Sequence, residues 1–172
     1  MYKTSEVIVI ISLCFMYYTN NLGKGWDYYM ERTLVIIKPE AVKKKLVGKI
    51  VSIYEENRLD IIHAHRILAT QDVLEKHYEE LKGKSFFHEV LDYMSDSEVV
   101  VLILEGENVV NIVREINGAT NPKDAKPGTI RYMYGTDVQA NAVHGSSSPE
   151  IANKEIEIWK DLIRYDEPVF VS

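Results

Sequence analysis

The chain carries 172 residues, 46% of them hydrophobic, with a net charge of -6 and a single cysteine. This size and apolar content predict one globular domain with its own core rather than a disordered chain. The acidic balance argues against a duplex DNA-binding role, which calls for a basic face. Cys14 alone excludes an intrachain disulfide or a cysteine zinc cluster, and it fits a reducing compartment.

Residues 1–29 read as a separate N-terminal extension. Lys3 precedes an apolar run at 7–18 (VIVIISLCFMYY). The run is shorter than the roughly 20 residues a membrane-spanning helix needs. It has the length of a signal-peptide core, but Tyr18-Thr19-Asn20-Asn21 follows it instead of a small-x-small cleavage pattern. The charges here cancel, Lys3 and Lys24 against Glu6 and Asp27, so the acidity belongs to residues 30–172. Met30 begins the domain, and the run before it reads either as a short hydrophobic leader or as sequence upstream of the true start.

Residues 33–37 form an apolar, β-branched run that predicts a buried strand, broken by Pro39. Val42, Leu46, Ile50 and Tyr54 recur every four residues, with Val47 and Ile53 beside them, and predict one helix. Lys43, Lys44 and Lys45 at its start read as a solvated face. Residues 59–68 alternate as a strand. On it His63 and His65 point the same way, a spacing that could serve a metal, but no third ligand lies nearby, so both read as ordinary strand histidines.

Thr70 is placed to cap a helix carrying Val73, Leu74, His77, Tyr78 and Leu81 on one face. The Gly83-Lys84-Ser85 that follows is no P-loop: that motif needs a glycine where Tyr78 stands, and a preceding strand. Residues 99–104 predict another buried strand. Residues 107–117 predict a helix with Val109, Val110, Ile112, Val113 and Ile116, stopped by Asn117-Gly118.

From 119 to 140 the periodicity disappears, and a loop that long inside a compact domain points to function or disorder. Residues 141–148 (NAVHGSSS) then place His144 in a short apolar segment ahead of three hydroxyls. Ser148 can cap a helix and Pro149 can fill its first position, with Ala152, Ile156, Trp159 and Ile163 following at helical spacing. This arrangement holds an imidazole at the mouth of a helix, where backbone N–H groups favour anions. A neutral imidazole nitrogen is a competent nucleophile toward phosphorus. The tail after Arg164 carries no clear signal.

The order is strand, helix, strand, helices, strand, helix, long loop, short strand, helix. It suggests crossovers and a layered α/β arrangement, and pattern alone leaves a parallel sheet and a split βαβ both open.

Three stretches agree in order and spacing: 32–40 (RTLVIIKPE), 118–131 with its GATNP and KPGTIR, and 141–148. Together they make the chain, from about Met30 to Trp159, closely resemble the nucleoside diphosphate kinase family, whose signature reads Asn-x-x-His-Gly-Ser-x-Ser. The resemblance implies an α/β (α+β) fold with a ferredoxin-like, four-stranded antiparallel sheet covered by helices. It implies transfer of a γ-phosphoryl group from a nucleoside triphosphate, typically ATP, to a nucleoside diphosphate by a ping-pong mechanism through a phosphohistidine on His144, which maintains nucleoside triphosphate pools.

The roles implied are as follows. Lys38 lies near the ribose and reacting phosphate, and Tyr78 stands beside the catalytic ring. Glu155 holds the second imidazole nitrogen. Arg114 and Arg131 take the α and β phosphates, Thr120 binds phosphate, and Asn141 reads the ribose hydroxyls. Phe86 stacks on the base with Val90 opposite, a mode tolerant of base identity. Mg²⁺ comes bound to the nucleotide phosphates, without dedicated protein ligands. The resemblance also implies a cytoplasmic homo-oligomer, hexamer or tetramer, with no specific nucleic acid and no membrane partner unless the 7–18 run is one. The chain departs from the family's habit at Ser147, where Asp is usual, at Ala41, where Gly is usual, and at Lys160, where an aromatic is common.

Overall fold

Strands β1 (Glu31–Ile37) and β3 (Val99–Gly106) carry unbroken apolar runs, from Leu34 to Ile37 and from Val99 to Leu104, because helices cover them from both sides. A strand that faces water on one side alternates, whereas one buried on both faces reads as a continuous apolar run. The computed structural model describes residues 30–165, so the readings made on 1–29 and on the last residues of the tail lie outside it.

The sheet order is β2-β3-β1-β4. β1 runs antiparallel to β3 from Glu31↔Gly106 to Ile37↔Val100. It also pairs antiparallel with the short edge strand β4 (Val143–Gly145), setting Ile36 opposite His144. β2 (Asp60–Ile67) pairs antiparallel with β3 at the other edge, with a bulge between Ile61 and His63. The first crossover runs through α1 (Pro39–Lys43) and α2 (Val47–Glu56). α3 (Gln71–His77), a 3-10 turn at Glu79–Leu81 and α4 (Phe87–Ser95) join β2 to β3. The second crossover runs through α5 (Val109–Asn117), a 3-10 turn at Pro122–Asp124 and α6 (Ile130–Tyr134). After β4 comes α7 (Pro149–Ile163). Two split crossovers in an all-antiparallel sheet give the ferredoxin-like, α+β fold that the resemblance implies, and settle the alternative that pattern alone left open.

Alternation along the central strands divides the interior in two. Val35, Ile37, Leu102 and Leu104 face Ile50 and Tyr54 of α2 and Val110 and Val113 of α5. Leu34, Ile36, Val101 and Ile103 face Leu74 of α3, Leu91 and Met94 of α4, and Trp159 and Ile163 of α7. His144 shares a side of the sheet with its partner Ile36, and so points toward α3 and α7.

Two sequence expectations are corrected. The helix expected across 42–54 is two helices, broken where Lys45 adopts a left-handed backbone (φ 58°). The four-residue spacing survives the break because both short helices lay their apolar sides on the same core. Ala41 lies buried inside α1, outside the left-handed region, so nothing at this position requires glycine. The stretch 119–140 is not structureless either: it holds a 3-10 turn and α6, which is too short for five residues to display a period.

The readings made at the helix ends match. Gly118 ends α5 with φ 81°, a conformation that favours glycine. Ser148 Oγ accepts from the Ile151 N–H at 3.2 Å, and Pro149 occupies the first turn of α7. His63 Nε2–H donates to the Ile163 carbonyl at 2.8 Å, and its ring stacks on His65. No helix among the described residues is long and apolar enough to cross a membrane.

Candidate active site

β4 presents His144 to the flank of α7. There the imidazole Nε2 stands 3.0 Å from both oxygens of Glu155. Glu155 lies on the second turn of α7, so the ring reaches past the helix mouth that the sequence suggested. Burial pushes the Glu155 carboxyl up, but the hydrogen bond from His144, the His144 and His77 rings and the Ser146 hydroxyl together hold it below its ordinary value. An ionised carboxylate only accepts, so Nε2 carries the proton and Nδ1 keeps a free lone pair.

Ser146 locks this arrangement to the sheet. Its hydroxyl donates to Glu155 Oε2 at 2.6 Å and accepts from the Leu34 N–H at 3.3 Å. On the far side, the His77 ring meets His144 edge to face at 4.6 Å between centroids. The Trp159 indole N–H donates to His77 Nδ1 at 3.2 Å. Burial, with the His144 charge adding to it, pushes the His77 imidazole down to about 3, so it stays neutral. Burial likewise raises the Tyr78 phenol, with Glu155 adding, and its ring stands edge-on to His77 at 4.7 Å.

His144 opens into a cleft of about 1190 Å³. Ten residues were expected to form the site, and nine of them line it: Lys38, Tyr78, Phe86, Val90, Arg114, Thr120, Arg131, Asn141 and His144 itself. Glu155 lies behind the ring. The cleft is divided chemically. Lys38, Arg114 and Arg131 make part of its lining cationic, and Phe86 and Val138 contribute half-exposed apolar side chains. Phe86 begins α4 and Val90 follows one turn later, its N–H on the Phe86 carbonyl. Val90 therefore stands beside Phe86 and not across from it, which corrects the sequence reading; Val138, from the 136–140 loop, supplies an apolar side chain on a different segment.

Three cations of the cleft, Lys38, Arg114 and Arg131, rest on backbone carbonyls. Lys38 Nζ donates to the Gln139 carbonyl at 2.9 Å. Arg131 donates to the carbonyls of Gly118 (2.7 Å) and Val143 (3.0 Å). Arg114 donates to the Ser147 carbonyl, so at the position where the family favours Asp the backbone serves this arginine. Burial lowers the Lys38 ammonium to about 8, against the pull of Glu40 and with Arg131 adding to the effect. Burial also lowers Arg131.

The stem of β4 is fastened from β1 and α1. Ala142, left-handed at φ 69°, gives its carbonyl to the Lys38 N–H (2.9 Å) and its own N–H to Glu40 Oε1 (2.7 Å). Tyr93 donates to the other Glu40 oxygen. Asn141 reaches the Thr120 carbonyl at 2.8 Å.

Sequence reasoning missed several of these residues. His77 was seen only as an apolar-face residue, although a histidine beside Tyr78 on a helix facing the nucleophile was a usable signal. Ser146 was visible inside the signature, but its bond to Glu155 depends on tertiary placement. Val138, Gln139 and Tyr93 carried no local signal. His77, His144 and Glu155 are metal-ligand types whose donor atoms lie within 4.8 Å of one another. Here, however, the Glu155 oxygens are engaged by His144 and Ser146 and His77 Nδ1 by Trp159, so the cluster reads as a hydrogen-bond network around one imidazole.

Comparison with known proteins agrees with this geometry. The family model described as Nucleoside diphosphate kinase matches residues 31–162. A nucleoside diphosphate kinase of Nitratiruptor sp. is 51% identical over 130 residues, covering 76% of this chain and 95% of that protein. One from Caldanaerobacter subterraneus subsp. tengcongensis is 48% identical over 131 residues, covering 76% and 94%. Among solved structures, the nucleoside diphosphate kinase of Encephalitozoon cuniculi superposes with a TM-score of 0.76 at 37% identity, covering 81% of this chain and 94% of its own. With the sheet order, the cleft and the sequence signature all in agreement, the chain belongs to the nucleoside diphosphate kinase family.

Proposed function

We propose that the chain is a nucleoside diphosphate kinase that works by double displacement on His144. In the first half-reaction Nδ1 attacks the γ-phosphorus of a nucleoside triphosphate. The N–P bond forms, the bond to the β–γ bridging oxygen breaks, and a nucleoside diphosphate leaves. In the second, a different diphosphate enters and its terminal oxygen takes the phosphoryl group, which restores the free imidazole. The observation that carries this reading is the Nε2–H bond from His144 to both oxygens of Glu155 at 3.0 Å, because it commits one nitrogen to hydrogen bonding and leaves the other for phosphorus.

Phosphoryl transfer relies on positioning and charge cancellation. Lys38, Arg114 and Arg131 exchange their backbone carbonyls for phosphate oxygens, the arginines with a planar fork suited to two oxygens at once. Thr120 adds a phosphate contact and Asn141 takes the ribose hydroxyls. Phe86, with Val90 beside it, stacks on the base, and broad base acceptance follows. Tyr78 packs beside the histidine pair. The carboxylates among the cleft-lining residues are Glu115 and Asp124, and Asp124 accepts from Asn121 at 2.9 Å. That donor set suits a Mg²⁺ ion held through nucleotide phosphates, where it neutralises charge, more than an ion in a protein cage. Residues 30–172 form the kinase domain in this reading, 1–29 an extension, and the protein works in the cytoplasm as a homo-oligomer, hexamer or tetramer; native mass spectrometry checks the assembly.

A phosphoenzyme trap tests the chemistry. Protein is mixed with γ-labelled ATP and Mg²⁺ and quenched. Wild type should carry label that survives base, is lost in acid and is discharged by GDP, and His144→Ala should carry none. Folded wild type that takes no label would overturn the proposal.

A further inference from the structure

Asn117, the last residue of α5, lines the cleft yet is 1% exposed. Its amide orientation is set from below. Tyr54, fully buried on α2, lies 2.6 Å from Asn117 Oδ1. Burial holds the Tyr54 phenol protonated, and a buried hydroxyl proton needs an acceptor, which Oδ1 provides. Nδ2 therefore points the other way, against Gly145 next to His144. A β-carbon built on Gly145 would stand only 2.6 Å from this nitrogen, so only glycine admits the amide here. Nδ2 itself has no hydrogen-bond partner.

Two further buried polar atoms at the cleft lack partners, Arg131 Nε and Asn141 Oδ1. Arg131 spans the carbonyls of Gly118, which follows Asn117, and of Val143, two residues before Gly145. Its guanidinium thus ties together the two segments that flank the Asn117 amide.

We propose that Asn117 Nδ2 is a further phosphate-binding donor of the nucleotide site, engaged when substrate enters. Arg131 leaves the Gly118 and Val143 carbonyls for phosphate oxygens, and the neighbouring Asn117 N–H takes an anionic oxygen of the phosphate chain beside His144. A buried N–H without an acceptor is costly, and a hydrogen bond to a charged oxygen removes that cost while adding affinity. Tyr54 is the positioning residue that presents the donor and not the acceptor to the cleft. The inference rests on the nucleotide kinase reading above.

Calorimetric titration of ADP and of adenosine, each with Mg²⁺, tests it on wild type, N117L, N117A and Y54F. N117L keeps the volume and removes the polar atoms; N117A serves if leucine costs the fold. Loss of one charged hydrogen bond should weaken ADP binding by roughly tenfold or more, with adenosine affinity unchanged. Y54F should move ADP the same way but less, since a released amide can turn. ADP affinity unchanged in N117L and N117A, or equal loss for ADP and adenosine, overturns the inference while the kinase reading stands. Wild type that fails to bind ADP at all overturns both.

Discussion

Glu155 is the side chain on which the chemistry of His144 turns. It lies eleven residues along the chain from the nucleophile, yet both its oxygens stand 3.0 Å from Nε2. Replacing it with glutamine keeps the shape and removes the charge. The amide can present N–H to Nε2, which favours the wrong tautomer, and no anion then stabilises the positive ring that forms as phosphorus bonds to Nδ1. Phosphoenzyme formation in Glu155→Gln should slow on the order of 10²-fold, with nucleotide KM little changed, because the cations of the cleft do not touch this carboxylate. Rapid-quench labelling at saturating ATP measures it, and a labelling rate equal to wild type would remove Glu155 from the mechanism. The resemblance pointed to Glu155, but the sequence held no sign of the hydrogen bond from Ser146 that secures it.

At the scale of elements, three residues of β4 carry the nucleophile, and their hold depends on Ala142. Its left-handed backbone lets both peptide groups reach across, one to the Lys38 N–H and one to Glu40. A β-branched side chain is a genuine outlier at that φ, and Ala142 is fully buried. Ala142→Val should therefore cost about 1–3 kcal/mol in strain, with slower phosphoryl transfer as His144 shifts. Ala142→Gly accepts the same φ without that penalty. Urea denaturation of the two variants separates them; equal loss of stability would mean that the conformation is not what matters. This stem also shows what the sequence could express. Ser148 and Pro149 announced α7 because a cap is chemistry between neighbours. The apolar runs of β1 and β3 announced buried strands. The break at Lys45, the short helix α6 and the left-handed Ala142 were silent, because each is imposed by contacts made far along the chain and none leaves a periodic trace.

Across the whole molecule, the sheet separates two interiors, and the active site taps the one formed with α3, α4 and α7. His77 belongs to that interior. Around it stand His144, Glu155, Tyr78 and Trp159, with Lys38 near enough to act through its charge. Its imidazole is held down to about 3 in the fold against an ordinary value of 6.5. The sign of the consequence follows from proton counting. Above 6.5 neither state binds the proton and the stability is complete. Between 6.5 and 3 the unfolded chain takes a proton that the native state refuses, so stability falls as the pH drops; below 3 both states are charged and the slope ends. While only the unfolded state is protonated, the slope approaches about 1.4 kcal/mol per pH unit. His77→Leu removes this component. It also strands the Trp159 N–H, so the variant should be less stable at pH 7 and yet lose less on acidification. The Glu155 contribution follows the opposite group: its carboxyl is depressed in the fold, so what it adds is present above the ordinary carboxylate value and is lost as the pH falls through its lower folded value. Its acid dependence begins below that of His77. Urea unfolding of wild type and His77→Leu at intervals from pH 7 to pH 5 isolates the histidine, since Glu155 stays ionised in both states over most of that window. Parallel curves would show that His77 takes up its proton in the native state as readily as in the unfolded chain, and the neutral partner assigned to the His144 ring would then be wrong.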